Sequence, residues 1–168
     1  EYELGRGGMG IVFLGRDIAL ERPVAIKLLP PHFAGLPEIR ARFLQEARIT
    51  GQLEHPSIIP VYELGRRLNG TFYYTMKLMR GKTLARVIRD CENLEQRLRI
   101  LPSILDLCQA LAYAHSRRVI HRDIKPANVI VGQFGETMVI DWGLAKDMGA
   151  AEVPVAAGRR ASADEELT

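Results

Sequence analysis

The order of apolar and polar positions divides the chain into a strand-rich beginning and a helix-rich continuation. Residues 2–4 read as a strand running into a glycine cluster, and residues 11–14 resume it with β-branched and aromatic side chains. Residues 23–29 form a short apolar run suited to a buried strand, and the Pro- and Gly-bearing stretch 30–37 separates it from a helix. That helix is expected over 38–53, where Ile39, Phe43, Ala47, Thr50 and Leu53 recur at three- and four-residue spacing and give one inward face. His55-Pro56 ends it, because a residue before proline is pushed out of the helical region. Strands follow at 61–64 and 71–78, with Asn69-Gly70 supplying a hairpin turn. Residues 83–91 predict a short helix. A longer one is expected over 94–116, with Leu98, Leu101, Leu105, Cys108, Leu111, Ala112 and His115 on one stripe. Short strands at 129–131 and 138–140 flank a Gly132/Gly135 turn, and from 147 to 168 the chain is Ala-, Gly- and charge-rich without a period, as flexible segments are. Strands first and helices afterwards suggest an α+β fold of two lobes, hinged near 76–81. No internal repeat is visible.

Composition narrows this picture. The 168 residues suffice for one domain with its own core, and 47% hydrophobic with 26% charged residues is ordinary for a soluble globular protein. Net charge is +3, from 23 basic and 20 acidic residues, too small an excess to argue for a nucleic-acid partner. Cys91 and Cys108 belong to no CxxC or Cys/His cluster, so neither a disulfide framework nor a zinc site is indicated, and Cys108 reads as core. The most apolar stretch, 100–114, is broken by Pro102, Asp106 and Gln109, so no membrane span is predicted. The chain starts at Glu1 rather than Met, and a fragment is expected, whose missing targeting signals say little about its parent.

Three segments carry chemistry. Leu4-Gly5-Arg6-Gly7-Gly8-Met9-Gly10 contains Gly-x-Gly-x-x-Gly, whose glycines let backbone approach phosphates without a Cβ in the way. A dinucleotide-binding loop would open a helix at the third glycine, whereas strand-like Ile11-Val12-Phe13-Leu14 follows here. Val24-Ala25-Ile26-Lys27 is a buried strand ending in a lysine that needs a partner, unless it snorkels out to solvent. Glu46, flanked by the apolar stripe of its helix, suits that partnership; Glu38 competes but lies at the helix start, where acids are common. His121-Arg122-Asp123-Ile124-Lys125-Pro126-Ala127-Asn128 fills the needs of phosphoryl transfer. Asp123 would orient the attacking hydroxyl, Lys125 would supply positive charge and Asn128 a metal-binding amide oxygen.

On these motifs the chain resembles the Hanks-type (eukaryotic-like) serine/threonine protein kinases, in the style of their bacterial members. Lys125-Pro126 resembles the serine/threonine branch rather than the tyrosine kinases, and small-molecule kinases of related fold usually lack it. Val139-Ile140-Asp141-Trp142-Gly143 matches the family's Asp-Phe-Gly segment with tryptophan in place of phenylalanine. The resemblance implies a two-lobed fold with residues 1–79 as the β-rich lobe, 80–146 as an incomplete helical lobe and 147–168 as part of a flexible activation segment. It implies ATP and Mg2+, with Mn2+ as an alternative ion, Asp141 and Asn128 holding the metal, and Lys27 braced by Glu46 on the α- and β-phosphates. Leu4, Gly5, Gly7 and Gly10 would belong to the phosphate-covering loop, while Val12, Ala25 and Ile130 would sandwich the adenine, although each also fits plain core. Met76 aligns with the gatekeeper, and backbone groups of Lys77 and Met79 would bind the adenine edge. His121 would pack rather than transfer protons.

Arg122 would pair with a phosphate on the activation segment, and Ser162 or Thr168 is a candidate autophosphorylation site. Protein substrates bearing Ser or Thr are implied as partners, no nucleic acid, and a cytoplasmic kinase domain whose parent's membrane attachment is left open. The family's Ala-Pro-Glu-type motif and later helices do not occur in these residues. The helix at 94–116 is therefore expected to expose apolar surface, and the fragment to be poorly stable and inactive alone. A pseudokinase or ATP-sensing scaffold is the alternative reading, disfavoured because no expected catalytic residue is lost.

Overall fold

The computed structural model describes residues 2–7 and 9–148. The first part is a five-stranded antiparallel sheet built from β1 (Tyr2–Gly7), β2 (Gly10–Asp17), β3 (Arg22–Leu28), β4 (Val61–Arg66) and β5 (Phe72–Lys77), in the order β1-β2-β3-β5-β4. β1 and β2 extend through the glycines to a Gly7↔Gly10 pairing, so the glycine motif is the tip of a hairpin. The Asn69-Gly70 turn forms as expected, with Gly70 at φ +84° and its N–H donating to Arg67 O at 2.9 Å.

Two helices interrupt the sheet. α1 (Pro31–Ala34) lies in the stretch expected to be a linker; Pro31 opens it, where a missing N–H costs nothing, and Phe33 packs into the core it leads to. α2 (Pro37–Gly51) likewise starts on a proline. Its Phe43 and Ala47 pack with Leu29 and Tyr74 against the sheet, the Phe43 and Tyr74 rings 5.3 Å apart and tilted by 47°. Its Ile49 joins the second core instead, so Glu46 lies between the two clusters.

Beyond β5 the chain forms β6 (Gly81–Thr83), α3 (Leu84–Arg89), α4 (Leu94–Leu98) and α5 (Leu101–Ser116). Thr83 and Asn93 cap α3 and α4, their side-chain oxygens accepting from Arg86 N and Gln96 N. The single helix expected over 94–116 is thus two, broken ahead of Pro102, which can sit only in a first turn. The predicted inward stripe also faces the other way: Leu101 and Leu105 are 58% and 59% exposed, and Cys108 is exposed rather than core. The buried face carries Ser103, Ala110 and Ala114, whose small side chains let the helix close on Trp142, Val119 and Val139. An apolar face on this helix is therefore exposed, as anticipated.

β7 (Val119–Ile120) and β10 (Lys146–Asp147) pair antiparallel, and β8 (Val129–Gly132) joins β6 and β9 (Thr137–Val139) in a three-stranded sheet. The segment expected to be flexible from 147 onward is ordered at its start: Asp147 pairs with Val119, and Met148 N donates to Arg118 O at 2.8 Å. Ser162 and Thr168 lie outside the described residues. Among the described residues no helix is long and apolar enough to cross a membrane.

Candidate nucleotide and phosphoryl-transfer site

Antiparallel register decides which side chains meet. Val12, Lys27 and Tyr74 are cross-strand neighbours on β2, β3 and β5, and Leu14, Ala25 and Met76 form the next such row two residues away. Alternation along the strands puts both rows on one face. Lys27 is 7% exposed there, and its Nζ lies 2.5 Å from Oε1 of Glu46, itself 2% exposed. Of the two glutamates weighed from the sequence, the structure brings Glu46 to the lysine. The Tyr74 hydroxyl donates to the same Oε1 at 2.7 Å, and Glu46 Oε2 has no hydrogen-bond partner among the described residues. Removing one member of so buried a pair strands the other charge, at a cost of about 3–5 kcal/mol. Burial, with the adjacent Glu46 charge and hydrogen bond, pushes the Tyr74 hydroxyl well above its usual 10.0.

A cavity of about 190 Å³ opens on this face; of the predicted residues, Gly5, Gly7, Val12, Lys27, Glu46, Met76 and Asp141 line it. Gly5 and Gly7 have open space where a Cβ would point, whereas a Cβ on Gly10 would lie 2.9 Å from Leu28 O and 3.1 Å from Lys27 Cγ. The third glycine therefore permits close approach of β2 to β3, and the first two leave room above the cavity. A Cβ on Gly143 would meet Met9 Cε at 2.9 Å and Glu46 Oε2 at 3.2 Å, side-chain ends rather than backbone.

The loop after β7 places the second group. His121 is buried; its Nε2–H donates to Ile140 O at 3.1 Å while Nδ1 accepts from Asp123 N at 3.3 Å. Burial lowers its pKa, so the neutral ring serves as a bracket, its centroid 4.5 Å from that of the Trp142 ring and the two planes tilted by 56°. Asp123 Oδ2 accepts from Lys125 Nζ at 2.7 Å and from Asn128 Nδ2 at 3.0 Å, and the lysine contact first, then the asparagine, holds its carboxyl below the usual range. Asn128 also donates to Asp123 O at 2.9 Å, which leaves its amide oxygen as the free end. Ile140 N donates to Asn128 O at 2.9 Å, tying this loop to the strand that delivers Asp141, which adopts φ +62°. Trp142 beyond it is 1% exposed, and its indole N–H has no partner among the described residues.

Other predicted residues sit around these groups. Leu4 is exposed on β1, and Ala25 is buried in the row between Leu14 and Met76. The Lys77 N–H is engaged by Pro60 O at 3.1 Å, and Met79 follows just after β5. Ile130 pairs with Thr83 and Met138 in the small sheet. Asp123, Lys125 and Asn128 cluster with one another outside the cavity lining. Arg122, at φ +64°, donates through Nε to Leu144 O at 2.6 Å. Tyr74 is a site residue that the sequence reading missed; the two-residue step from Tyr74 to Met76 was the available signal for it. A larger cavity of about 900 Å³ lies on the opposite face of the sheet, against Val24, Ile26 and Tyr73, and contains none of the predicted site residues.

A five-stranded sheet joined through a Lys–Glu pair to one helix, above a loop of Asp, Lys and Asn and an Asp-Trp-Gly turn, is the fold of a protein kinase domain. Residues 1–161 match the protein kinase domain family, and the chain belongs to it. It is 44% identical over 154 residues to serine/threonine-protein kinase PknD of Protochlamydia amoebophila, covering 85% of this chain and 16% of that protein. The PknD proteins of Chlamydia muridarum and Chlamydia trachomatis serovar D are each 39% identical over 158 residues, covering 86% of this chain. The chain thus spans about a sixth of the length of the curated relatives it matches. The family uses ATP with a divalent metal and acts on proteins, itself sometimes included.

Proposed function

We propose that the protein carrying this chain transfers the γ-phosphoryl group of ATP to Ser or Thr hydroxyls of proteins. The observation that carries this reading is the Asp123 carboxylate, oriented by Lys125 and Asn128 in a loop hydrogen-bonded to the segment bearing Asp141. Lys27, fixed by Glu46, would contact the α- and β-phosphates beneath the hairpin of Gly5, Gly7 and Gly10. Val12, Ala25 and Ile130 would sandwich the adenine with Met76 as gatekeeper, Leu4 would belong to the covering loop, and backbone groups of Lys77 and Met79 would meet the adenine edge. Asp123 would orient the hydroxyl and accept its proton, with Lys125 stabilising the charge that develops on the transferred group.

The donor set fits a hard divalent ion. Asn128 presents an amide oxygen and Asp141 an exposed carboxylate, and oxygen ligands suit Mg2+ or Mn2+. Phosphates and water would complete the coordination. The ion would supply charge neutralisation between the phosphates. We assign residues 1–79 and 80–146 to the two lobes and residues from 147 to the activation segment, with autophosphorylation at Ser162 or Thr168 read by Arg122, in a cytoplasmic domain.

The test is Asp123→Ala in the full-length protein, assayed with radiolabelled ATP and a generic protein substrate. Turnover is expected to fall at least about a hundredfold while MgADP binding persists. Equal turnover in the two proteins would remove the proposal.

A further inference from the structure

Glu46 is more restrained than a lysine partner alone would make it. Its Oε1 accepts two hydrogen bonds, from Lys27 Nζ at 2.5 Å and the Tyr74 hydroxyl at 2.7 Å, while the buried Oε2 accepts none from the described residues. A glutamate's terminal torsion is broad, so one contact through a flexible lysine leaves the carboxylate plane free to turn. A second donor from a different strand removes that freedom.

We propose that Tyr74 is a positioning residue for phosphoryl transfer: its hydroxyl fixes the Glu46 carboxylate, and through it the Lys27 ammonium, at the phosphate end of the cavity. The proposal rests on the protein-kinase reading above and adds to it a residue outside its four sequence motifs. The ring is placed by the core. It packs with Leu29, Phe43 and Ala47, and β5 sets it directly across from Lys27. The Lys27 Nζ lies 5.8 Å from its ring centroid, close enough for the ring face to favour the cation. A neutral donor suits the task, because it holds the carboxylate without competing for its charge and keeps its proton throughout physiological pH. Ring and hydroxyl therefore have separable duties, packing for one and orientation for the other.

Tyr74→Phe separates them in the full-length protein. MgADP affinity is read by calorimetry, kcat and KM by radiolabel transfer, and integrity by thermal unfolding. The thermal unfolding midpoint of the variant should fall by only a few degrees, since the packed ring is kept and Lys27 still holds Oε1. MgADP affinity and the ratio kcat/KM for ATP should each fall about tenfold, the effect of losing one hydrogen bond to a charged group, while KM for the protein substrate stays put. In a Glu46→Ala background the same replacement should change MgADP affinity by less than about twofold, since the group it acts through is gone. Lys27→Met provides a second background with the same expectation should Glu46→Ala fail to fold. Unchanged kcat/KM for ATP in Tyr74→Phe overturns the proposal, as does an equal loss of affinity in both backgrounds. A wild-type protein that binds no MgADP and transfers no phosphate would instead remove the kinase reading, and the role of Tyr74 with it.

Discussion

Alanine at each of Gly5, Gly7 and Gly10 separates two duties that the glycine motif combines. At Gly10 the added methyl would lie 2.9 Å from a β3 carbonyl oxygen and 3.1 and 3.2 Å from two carbons of Lys27. The carbonyl is backbone and cannot swing away, and Lys27 is tethered at its far end by Glu46. β2 must therefore shift, an overpacking strain of about 1–3 kcal/mol. In a domain of this size that lowers the melting temperature by about 2–12 °C. Gly5 and Gly7 have nothing within 4 Å of the Cβ position and no left-handed φ, so alanine there is neutral or stabilises by about 0.4–1 kcal/mol. Both line the cavity, however, and a methyl facing a phosphate should weaken MgADP binding by about tenfold. Thermal unfolding and MgADP titration of the three variants, in the full-length protein, read the two effects apart. A Gly10→Ala protein that melts with the wild type, or a Gly7→Ala protein that melts below it, would refute this division of labour.

Trp142→Ala should cost about 3–5 kcal/mol in chemical denaturation, because it empties the centre of the second core. Trp142→Phe should cost far less, since removing a buried indole N–H without a partner recovers about 1–3 kcal/mol against the lost contact area; a loss as large as alanine's would contradict this. Lys125→Met should shift the acid limb of residual phosphate transfer to higher pH. Lys125 stabilises the ionised form of Asp123, so without it the carboxyl takes up a proton sooner as pH falls; an unmoved limb would separate the two residues.

The motif residues were legible because their chemistry is local. Asp123, Lys125 and Asn128 lie within one short loop, and their mutual hydrogen bonds need no distant element. The pairing of Lys27 with Glu46 was also readable, since a buried lysine and a glutamate set among apolar helix positions have few other ways to be satisfied. The inner face of α5 was not. Its burial depends on Trp142 and Val139 pressing against it, which favours Ala110 and Ala114 and leaves the large leucines outside, the reverse of what hydrophobicity alone suggests. Tyr74 was missed for a related reason. As an aromatic on a strand it reads as packing, and only the β3–β5 register turns its hydroxyl toward Glu46.

Trp142 is the single tryptophan in these 168 residues, and it follows directly on Asp141. Excited selectively, the chain emits from one indole whose colour depends on the polarity around it. Enclosed by the second core, that indole emits toward the blue; swung out to water, it shifts toward the red. The tryptophan that stands where the family's motif carries phenylalanine therefore gives the Asp141 segment a built-in optical label, with no dye attached.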